Sequence, residues 1–177
     1  MAKLKVYEYP HPILKKKSVP VASEEFGEEL RKTLDDMLET MYEEIGVGLA
    51  APQVGISKRM IVIDYERDDE GGKPGHPMYL VNPEIIWKSE EKVCGTEGCL
   101  SVPEQRAEVE RFAAIKVKYQ DVDGKEHIVE TDDFLAIVLQ HEIDHLDGIL
   151  YIDRISRLKR QMLVKKLEKM RKERAGE

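Results

Sequence analysis

The segment QHEIDH, Gln140 to His145, is the stretch around which the fold is predicted to form. It lies in a run from Asp133 to Leu146 that predicts a helix, because Asp133 can cap the N-terminus. Residues four apart lie one above the other on a helix, so His141 and His145 would face the same point. The helix is therefore expected to carry two imidazoles on one side.

The H-E-x-x-H pattern of this helix suits metal-assisted hydrolysis. Two neutral imidazoles can hold a divalent ion, and Glu142 is near enough to reach a water on that ion. The pattern also occurs by chance on ordinary helices. The apolar setting favours the functional interpretation, because burying two histidines and a glutamate without a partner would be costly. The residues that make the helix apolar on most sides are Phe134, Leu135, Ile137, Val138 and Leu139.

A third metal ligand has to come from elsewhere in the chain. Zinc peptidases with this helix usually take it from a downstream Glu or His, but no histidine follows His145. The downstream acids are Asp147, Asp153 and Glu168. The other candidate is Cys99, in a Gly-containing turn, whose thiol would stay deprotonated on a divalent ion. The residues alone leave this choice open.

Composition limits the class of protein. A chain of 177 residues fits one domain with an adequate core, and 41% hydrophobic residues is ordinary for a globular protein. The first ten residues contain no apolar signal segment, and no stretch approaches the ~18 apolar residues needed to span a bilayer. Two cysteines make no disulfide framework. We expect a cytoplasmic protein that has no membrane partner.

Charge is distributed unevenly along the chain. The net charge of −7 argues against general nucleic-acid binding, so DNA is not an expected partner. Residues 154–177 nevertheless carry ten Lys or Arg and three Glu, so the remainder is strongly acidic. A helix beginning near Ser156 has an apolar stripe, which predicts docking on the protein with a basic face exposed to solvent. The stripe consists of Leu158, Met162, Leu163, Leu167 and Met170.

Helical spacing predicts a further helix from Glu24 to Ile45, with Ser23 as its cap and Gly46 ending it. Its apolar residues are Phe26, Leu30, Leu34, Met37, Leu38, Met41 and Ile45. The segments GVGLAAPQVG (46–55) and GTEGCLSVP (95–103) are predicted to be a loop and a turn. Strands are predicted at 59–65, at 78–87 with an interruption at Asn82-Pro83, and at 113–121 and 125–132, joined by a hairpin at Asp123-Gly124.

These elements predict an α+β fold in which short antiparallel β-sheets pack around a central metal-binding helix, followed by a C-terminal helix. We expect residues 1–177 to form a single catalytic domain, to which the basic helix 156–177 belongs.

Three segments together resemble the three motifs of the peptide deformylase family. They are GVGLAAPQ (Gly46 to Gln53), EGCLS (Glu97 to Ser101) and QHEIDH. They occur in that family's order and at compatible spacing, and the resemblance extends over essentially the whole chain. The single basic helix after the third motif is similar to the bacterial type 1 subclass.

The resemblance implies a hydrolase that removes the formyl group from the N-terminal formyl-methionine of nascent polypeptides and releases formate. It implies that Cys99, His141 and His145 hold one divalent metal ion, with Glu142 as general acid–base. In this family the physiological ion is commonly Fe²⁺, and Zn²⁺, Ni²⁺ or Co²⁺ are found as replacements. Cys-His-His ligands suit either zinc or ferrous iron.

The resemblance also assigns residues that bind the substrate. The side chain of Gln53 and the backbone N–H of Leu100 would donate to the developing oxyanion. Gly48 would give a permissive backbone and pair with an extended peptide. Glu97 and Arg106 flank the Cys99 turn and could order it or line the pocket, without an expected chemical role. The candidates for the pocket that takes the methionine side chain are Val47, Phe134, Ile137 and Val138, which could equally be core residues.

Two other classes of protein stay open from the sequence. A metallopeptidase would use the same helix with a third ligand other than Cys99. A non-catalytic metal-binding or RNA-associated module would not need Glu142. The basic helix adds a further hypothesis, a contact with the ribosome, because ribosomal RNA is polyanionic and nascent chains emerge there.

Overall fold

The computed structural model describes residues 3–67, 70, 72 and 75–176. The elements are α1 Glu28–Glu43, β1 Gly48–Ala50, β2 Met60–Ile63, β3 Met78–Lys88, β4 Lys92–Cys99, β5 Val102–Phe112, β6 Ile115–Gln120, β7 Glu126–Thr131, α2 Phe134–Leu146 and α3 Arg157–Ala175. Four short 3₁₀ turns lie at Pro12–Lys15, Ser23–Glu25, Ala51–Val54 and Tyr151–Arg154. The predicted α+β class is confirmed.

Five strands form one antiparallel sheet in the order β1-β2-β3-β6-β7, and β4 and β5 form a separate hairpin. Strand β2 is buried on both faces because successive side chains point to opposite sides of a sheet. Met60 and Val62 pack in the cluster that α1 covers, whereas Ile61 and Ile63 pack in the cluster that α2 covers. The sheet therefore separates two cores.

Helix α2 is central, as predicted. Eleven of its thirteen residues are buried, since the large sheet covers one side and β5 contacts it from another. The carboxylate of Asp133 caps the helix by accepting from the N–H of Leu135 at 3.0 Å. After the helix, Gly148 adopts a φ of 76°, and a Cβ there would lie 2.3 Å from the carbonyl oxygen of Lys15. Both predicted ends of α2 are confirmed.

Helix α3 docks on the hairpin. Its Ser156 cap accepts from the N–H of Lys159 at 3.2 Å. Leu163 and Leu167 are buried in a third cluster together with Val102 of β5, while Leu158 is 68% exposed. The C-terminal helix is thus held by apolar contacts on one side, and most of its basic residues face solvent.

The predicted boundaries of the first helix are wrong at both ends. A separate 3₁₀ turn takes up Ser23–Glu25, and Phe26 is extended (φ −71°, ψ 133°), so α1 begins after Gly27. Phe26 packs against the core from this extended position. At the other end Ile45 has a φ of 58° and is 89% exposed, so it does not belong to the apolar face.

Two glycine-containing segments predicted as a loop and a turn contain strands. Residues 48–50 form β1, which pairs with β2, and residues 51–54 form a 3₁₀ turn. Most of GTEGCLSVP belongs to β4 and β5, leaving Leu100 and Ser101 as the connecting turn. Backbone pairing across a hairpin needs no particular side chain, which is why glycine content misled the prediction. Strand β3 runs through Asn82-Pro83 with a register shift in its pairing to β6.

Candidate active site

The three predicted metal ligands meet in the structure. Cys99 ends β4, His141 and His145 lie on α2, and one ligand atom from each lies within 4.8 Å of the other two. Sγ of Cys99 is 3.4 Å from Nε2 of His145. A thiolate and two imidazoles at this spacing fit a tetrahedral site for a divalent ion with one position left for water or substrate. Over the described ranges this is the only such group of three donors.

The downstream acids considered as third ligands are engaged elsewhere or exposed. Asp147 accepts from Arg59 at 3.0 Å, and Asp153 is paired with Arg160. Glu168 lies on the exposed face of α3. Cys99 is therefore the third donor that the fold brings to the two histidines.

The turn between β4 and β5 aims the Cys99 side chain. Cys99 pairs with Val102, so Leu100 and Ser101 alone make the connection. The backbone N–H of Ser101 lies 3.4 Å from Sγ, a contact that stabilises a thiolate. The side chain of Leu100 packs in the α1 core, where a Cβ on Gly46 would lie 3.0 Å from it. This packing anchors the turn immediately after Cys99.

The two histidines differ in protonation. Burial, together with the positive charges of His141 and Arg111, holds the pKa of His145 well below its usual 6.5, so this ring is neutral. Burial also lowers the pKa of His141, but hydrogen bonds with Cys99 and Glu97 and the charge of Glu142 outweigh it and raise the pKa to about 10.

Glu142 lies beside the three donor atoms, in surroundings that would suit a general base. Its Oε1 is 3.8 Å from Nε2 of His141, and burial raises the pKa of the carboxyl to about 7. Its other oxygen is buried and has no hydrogen-bond partner among the described residues. Gly48 leaves room for this side chain, because a Cβ there would lie 2.9 to 3.0 Å from three Glu142 atoms. Gly48 thus has a steric role that the sequence did not predict.

Gln53 is held with its amide nitrogen in the site. Its side-chain oxygen accepts from the N–H of Ala50 at 2.9 Å. Its Nε2 donates to Oγ of Ser101 at 3.1 Å and lies 3.4 Å from Sγ of Cys99. The amide is buried, so these contacts fix which end faces the ligands. An uncharged donor at this place suits an oxyanion.

The predicted pocket residues lie in different surroundings. Val47 and Phe134 are 43% and 54% exposed, and the Phe134 ring lies 6.0 Å from that of Tyr65. Ile137 is half-buried. Val138 is buried in the core between α2 and the large sheet. Val47, Phe134 and Ile137 therefore have surface for a ligand, whereas the described contacts of Val138 are those of a core residue.

Glu97 has a contact that the sequence did not predict. Its Oε1 accepts from Nδ1 of His141 at 2.9 Å, and both oxygens accept from Arg111. Burial raises the pKa of Glu97, but the hydrogen bonds from Arg111 and His141 outweigh it and hold the pKa at about 2. A histidine ligand needs an acceptor for its other nitrogen. The signal for this role was a carboxylate only two residues before Cys99.

The site brings a cysteine sulfur and two helical imidazoles around one point, and a buried carboxylate and an amide donor lie beside them. This arrangement is that of a metal-dependent hydrolase. Residues 3–161 match the model of the Polypeptide deformylase family. The chain belongs to the peptide deformylase family, enzymes that remove the N-formyl group from formylmethionyl polypeptides.

Curated relatives and solved structures agree with this membership. The peptide deformylase of Zymomonas mobilis is 52% identical over 173 residues, which cover 97% of each chain. Peptide deformylase 1 of Rickettsia conorii is 49% identical, over 97% of this chain and 98% of that one. The crystal structure of a peptide deformylase from Legionella pneumophila is similar with a TM-score of 0.89 and 40% identity, covering 99% of both chains.

A second solved structure is also similar. The peptide deformylase from Ehrlichia chaffeensis in complex with actinonin has a TM-score of 0.87 and 40% identity, over 96% of this chain and 98% of that one.

Among the helices of the described residues, none combines the length and apolar character needed to cross a membrane.

Proposed function

We propose that Cys99, His141 and His145 hold the metal ion of this enzyme and that Glu142 moves the proton. The observation that carries this proposal is the convergence of the three donor atoms within 4.8 Å beside a buried carboxylate. When bound, the ion polarises the formyl carbonyl and lowers the pKa of a water at the site. Glu142 accepts the proton of the attacking water and then donates it to the leaving amine, which the raised pKa of its carboxyl favours.

Gln53 and Leu100 are the proposed oxyanion donors. Nε2 of Gln53 is oriented by Ala50 and Ser101, and the backbone N–H of Leu100 belongs to the turn that follows Cys99. Donors that are fixed before reaction cost no reorganisation in the transition state. Both therefore suit an oxygen that becomes anionic beside the sulfur.

Gly48 is the proposed position where the peptide pairs with the enzyme. It begins β1, which is an edge strand of the five-stranded sheet, so an extended substrate can add a strand there. The side chain of the formylated methionine would then lie towards Val47, Phe134, Ile137 and Val138. If Ile137→Ser left the KM ratio between formyl-Met and formyl-Ala peptides unchanged, Ile137 would be excluded from this pocket.

Formate release from a formyl-Met peptide tests the proposed roles. We expect Glu142→Gln to retain its metal and to lose turnover, because the amide cannot accept the proton. Glu130→Gln is the matched control, since its side chain is exposed and β7 lies at the edge of the large sheet opposite β1. A Glu142→Gln enzyme with wild-type turnover would contradict the mechanism, as would a Cys99→Ala protein that kept its metal.

Fe²⁺ is the proposed physiological ion. A thiolate with two imidazoles accepts Fe²⁺, Zn²⁺, Ni²⁺ or Co²⁺, so the donor set alone does not select one. Anaerobic purification, metal analysis and activity per bound metal decide between them. Full activity with Zn²⁺ and no gain with Fe²⁺ would exclude the iron assignment.

We further propose that residues 1–177 act as one catalytic domain in the cytoplasm and that α3 contacts the ribosome through its exposed lysines. Deleting α3 would be a poor test, because Leu163 and Leu167 are buried in the core. Charge reversal of the exposed Lys165, Lys166 and Lys169 leaves that core intact. We expect it to abolish salt-sensitive binding to ribosomes without changing formate release from free peptide. Unchanged binding would end the hypothesis; reversal of Lys116 and Lys118 on β6 is the control.

A further inference from the structure

A row of charged side chains leads from His141 to the surface. Glu97 accepts from His141 and, through both oxygens, from Nε and Nη2 of Arg111 at 2.9 and 2.8 Å. Nη1 of Arg111 donates to Asp144 at 2.7 Å, and Arg154 donates twice to the same carboxylate, at 3.1 and 2.8 Å. The charges alternate along the row. Its inner members are buried, whereas the side chain of Arg154 is 46% exposed.

Arg111 bridges the two parts of the fold that carry the metal ligands. Glu97 is on β4, two residues before Cys99, and Asp144 is on α2, one residue before His145. The planar guanidinium of Arg111 binds the Glu97 carboxylate through two N–H groups and the Asp144 carboxylate through a third. These bonds fix both the distance and the angle between the two carboxylates. The hairpin can therefore shift along α2 only if these bonds break.

The ion pair between Arg111 and Asp144 is better explained by its effect on the position of the hairpin than by its effect on the stability of the fold. A buried ion pair usually adds little net stability, because desolvation offsets the attraction of its charges. Cys99 and the two histidines lie on different elements, so a shift of the hairpin by a fraction of an ångström would change the angle at which they meet. Most contacts between α2 and its neighbours are made by hydrophobic residues. At the contact with the hairpin, however, three charged side chains are buried, those of Glu97, Arg111 and Asp144.

We propose that Arg111 and Asp144 are positioning residues of the metal centre. They hold the hairpin against α2 so that the thiolate of Cys99 meets the imidazoles of His141 and His145, and they keep Glu97 on Nδ1 of His141. The inference rests on the proposed ligand set, and both residues are proposed to act through Glu97 and the hairpin rather than on the substrate. Tyr151 restricts the orientation of His141 from another side. Its ring is stacked on the imidazole, with centroids 6.1 Å apart and an interplanar angle of 24°.

The test measures metal binding rather than activity. Arg111→Lys keeps the charge, but one ammonium cannot reproduce two bonds to Glu97 and one to Asp144. With the Co²⁺-substituted protein, we expect release to a chelator to be about 10–100-fold faster than in the wild type. We also expect a change in the Co²⁺ visible absorption, which reports ligand angles, and a Tm of the metal-free protein close to that of the wild type.

Control variants separate this role from general effects. Arg160→Lys alters an arginine–aspartate pair with Asp153 that touches none of the ligands, so its Co²⁺ release should be unchanged. Arg154→Gln should have a smaller effect than Arg111→Lys, because Arg111 still holds Asp144. Wild-type release and spectrum in Arg111→Lys would overturn the inference. So would failure of this variant to fold without metal, since the pair would then be needed for folding itself.

A second variant removes the charges together. Arg111→Met combined with Glu97→Gln and Asp144→Asn leaves no uncompensated carboxylate, and the new amide can still accept from His141. Fast Co²⁺ release from this folded triple variant supports the inference, and wild-type release overturns it. Cys99→Ser tests the ligand set separately: if it keeps wild-type Co²⁺ binding, the proposed metal site fails and the positioning role fails with it.

Discussion

Gly48 lies so close to Glu142 that a methyl group on its Cα would be 2.9 Å from Cγ of that side chain. We expect Gly48→Ala to lower kcat by about 10–100-fold, because the carboxylate has to move away from the attacking water. Metal content should be unchanged. Steady-state kinetics with a formyl-Met peptide give the measurement. Gly95→Ala in β4 is the control, since its Cβ would meet nothing within 4 Å; equal kinetics in the two variants would refute the steric role.

Gln53 should contribute mainly to the transition state. We expect Gln53→Leu to lower kcat by about 10²–10³-fold with a small change in KM, as for other oxyanion donors. Ser101→Ala removes only the acceptor that orients Nε2, so its loss should be smaller. A Gln53→Leu defect confined to KM would show that the amide binds substrate uniformly and does not stabilise the oxyanion.

The Glu97 carboxylate predicts how acid affects the metal-free protein. Its pKa is about 2 in the folded state and about 4.5 in the unfolded chain, so the unfolded state binds the proton more readily. The stabilisation, up to about 3 kcal/mol, is complete above pH ~4.5 and is lost as the pH falls towards 2. Urea unfolding at several pH values measures it. Glu97→Gln should flatten this part of the curve; an unchanged slope would contradict the prediction.

Helix α3 should stabilise the fold through its buried stripe. Leu167 is fully buried, so Leu167→Ala should reduce the free energy of unfolding by about 2–5 kcal/mol. Leu158 is 68% exposed, so Leu158→Ala should change the free energy of unfolding by less than about 0.5 kcal/mol. Denaturant unfolding of the two variants compares them directly. Equal losses would mean that the helix is not held by this cluster.

Sequence alone predicted the elements whose signals are local. The cap Asp133 and the helical spacing placed α2 and α3, and the i, i+4 rule placed His141 and His145 on one face. Prediction from the sequence failed where packing against other parts of the chain decides the conformation. Ile45 has the spacing of a core residue but is exposed, because the chain leaves the helix before it.

Three short motifs were sufficient to indicate the family, because the residues that do the chemistry must be of particular types at particular spacings. Only the tertiary structure decided that β4 and β5 form a continuous hairpin, that Gly48 makes room for Glu142, and that Arg111 joins Glu97 to Asp144. The partners of Arg111 are 14 and 33 residues away along the chain. No local propensity encodes such pairs; burial of opposite charges between packed elements selects them.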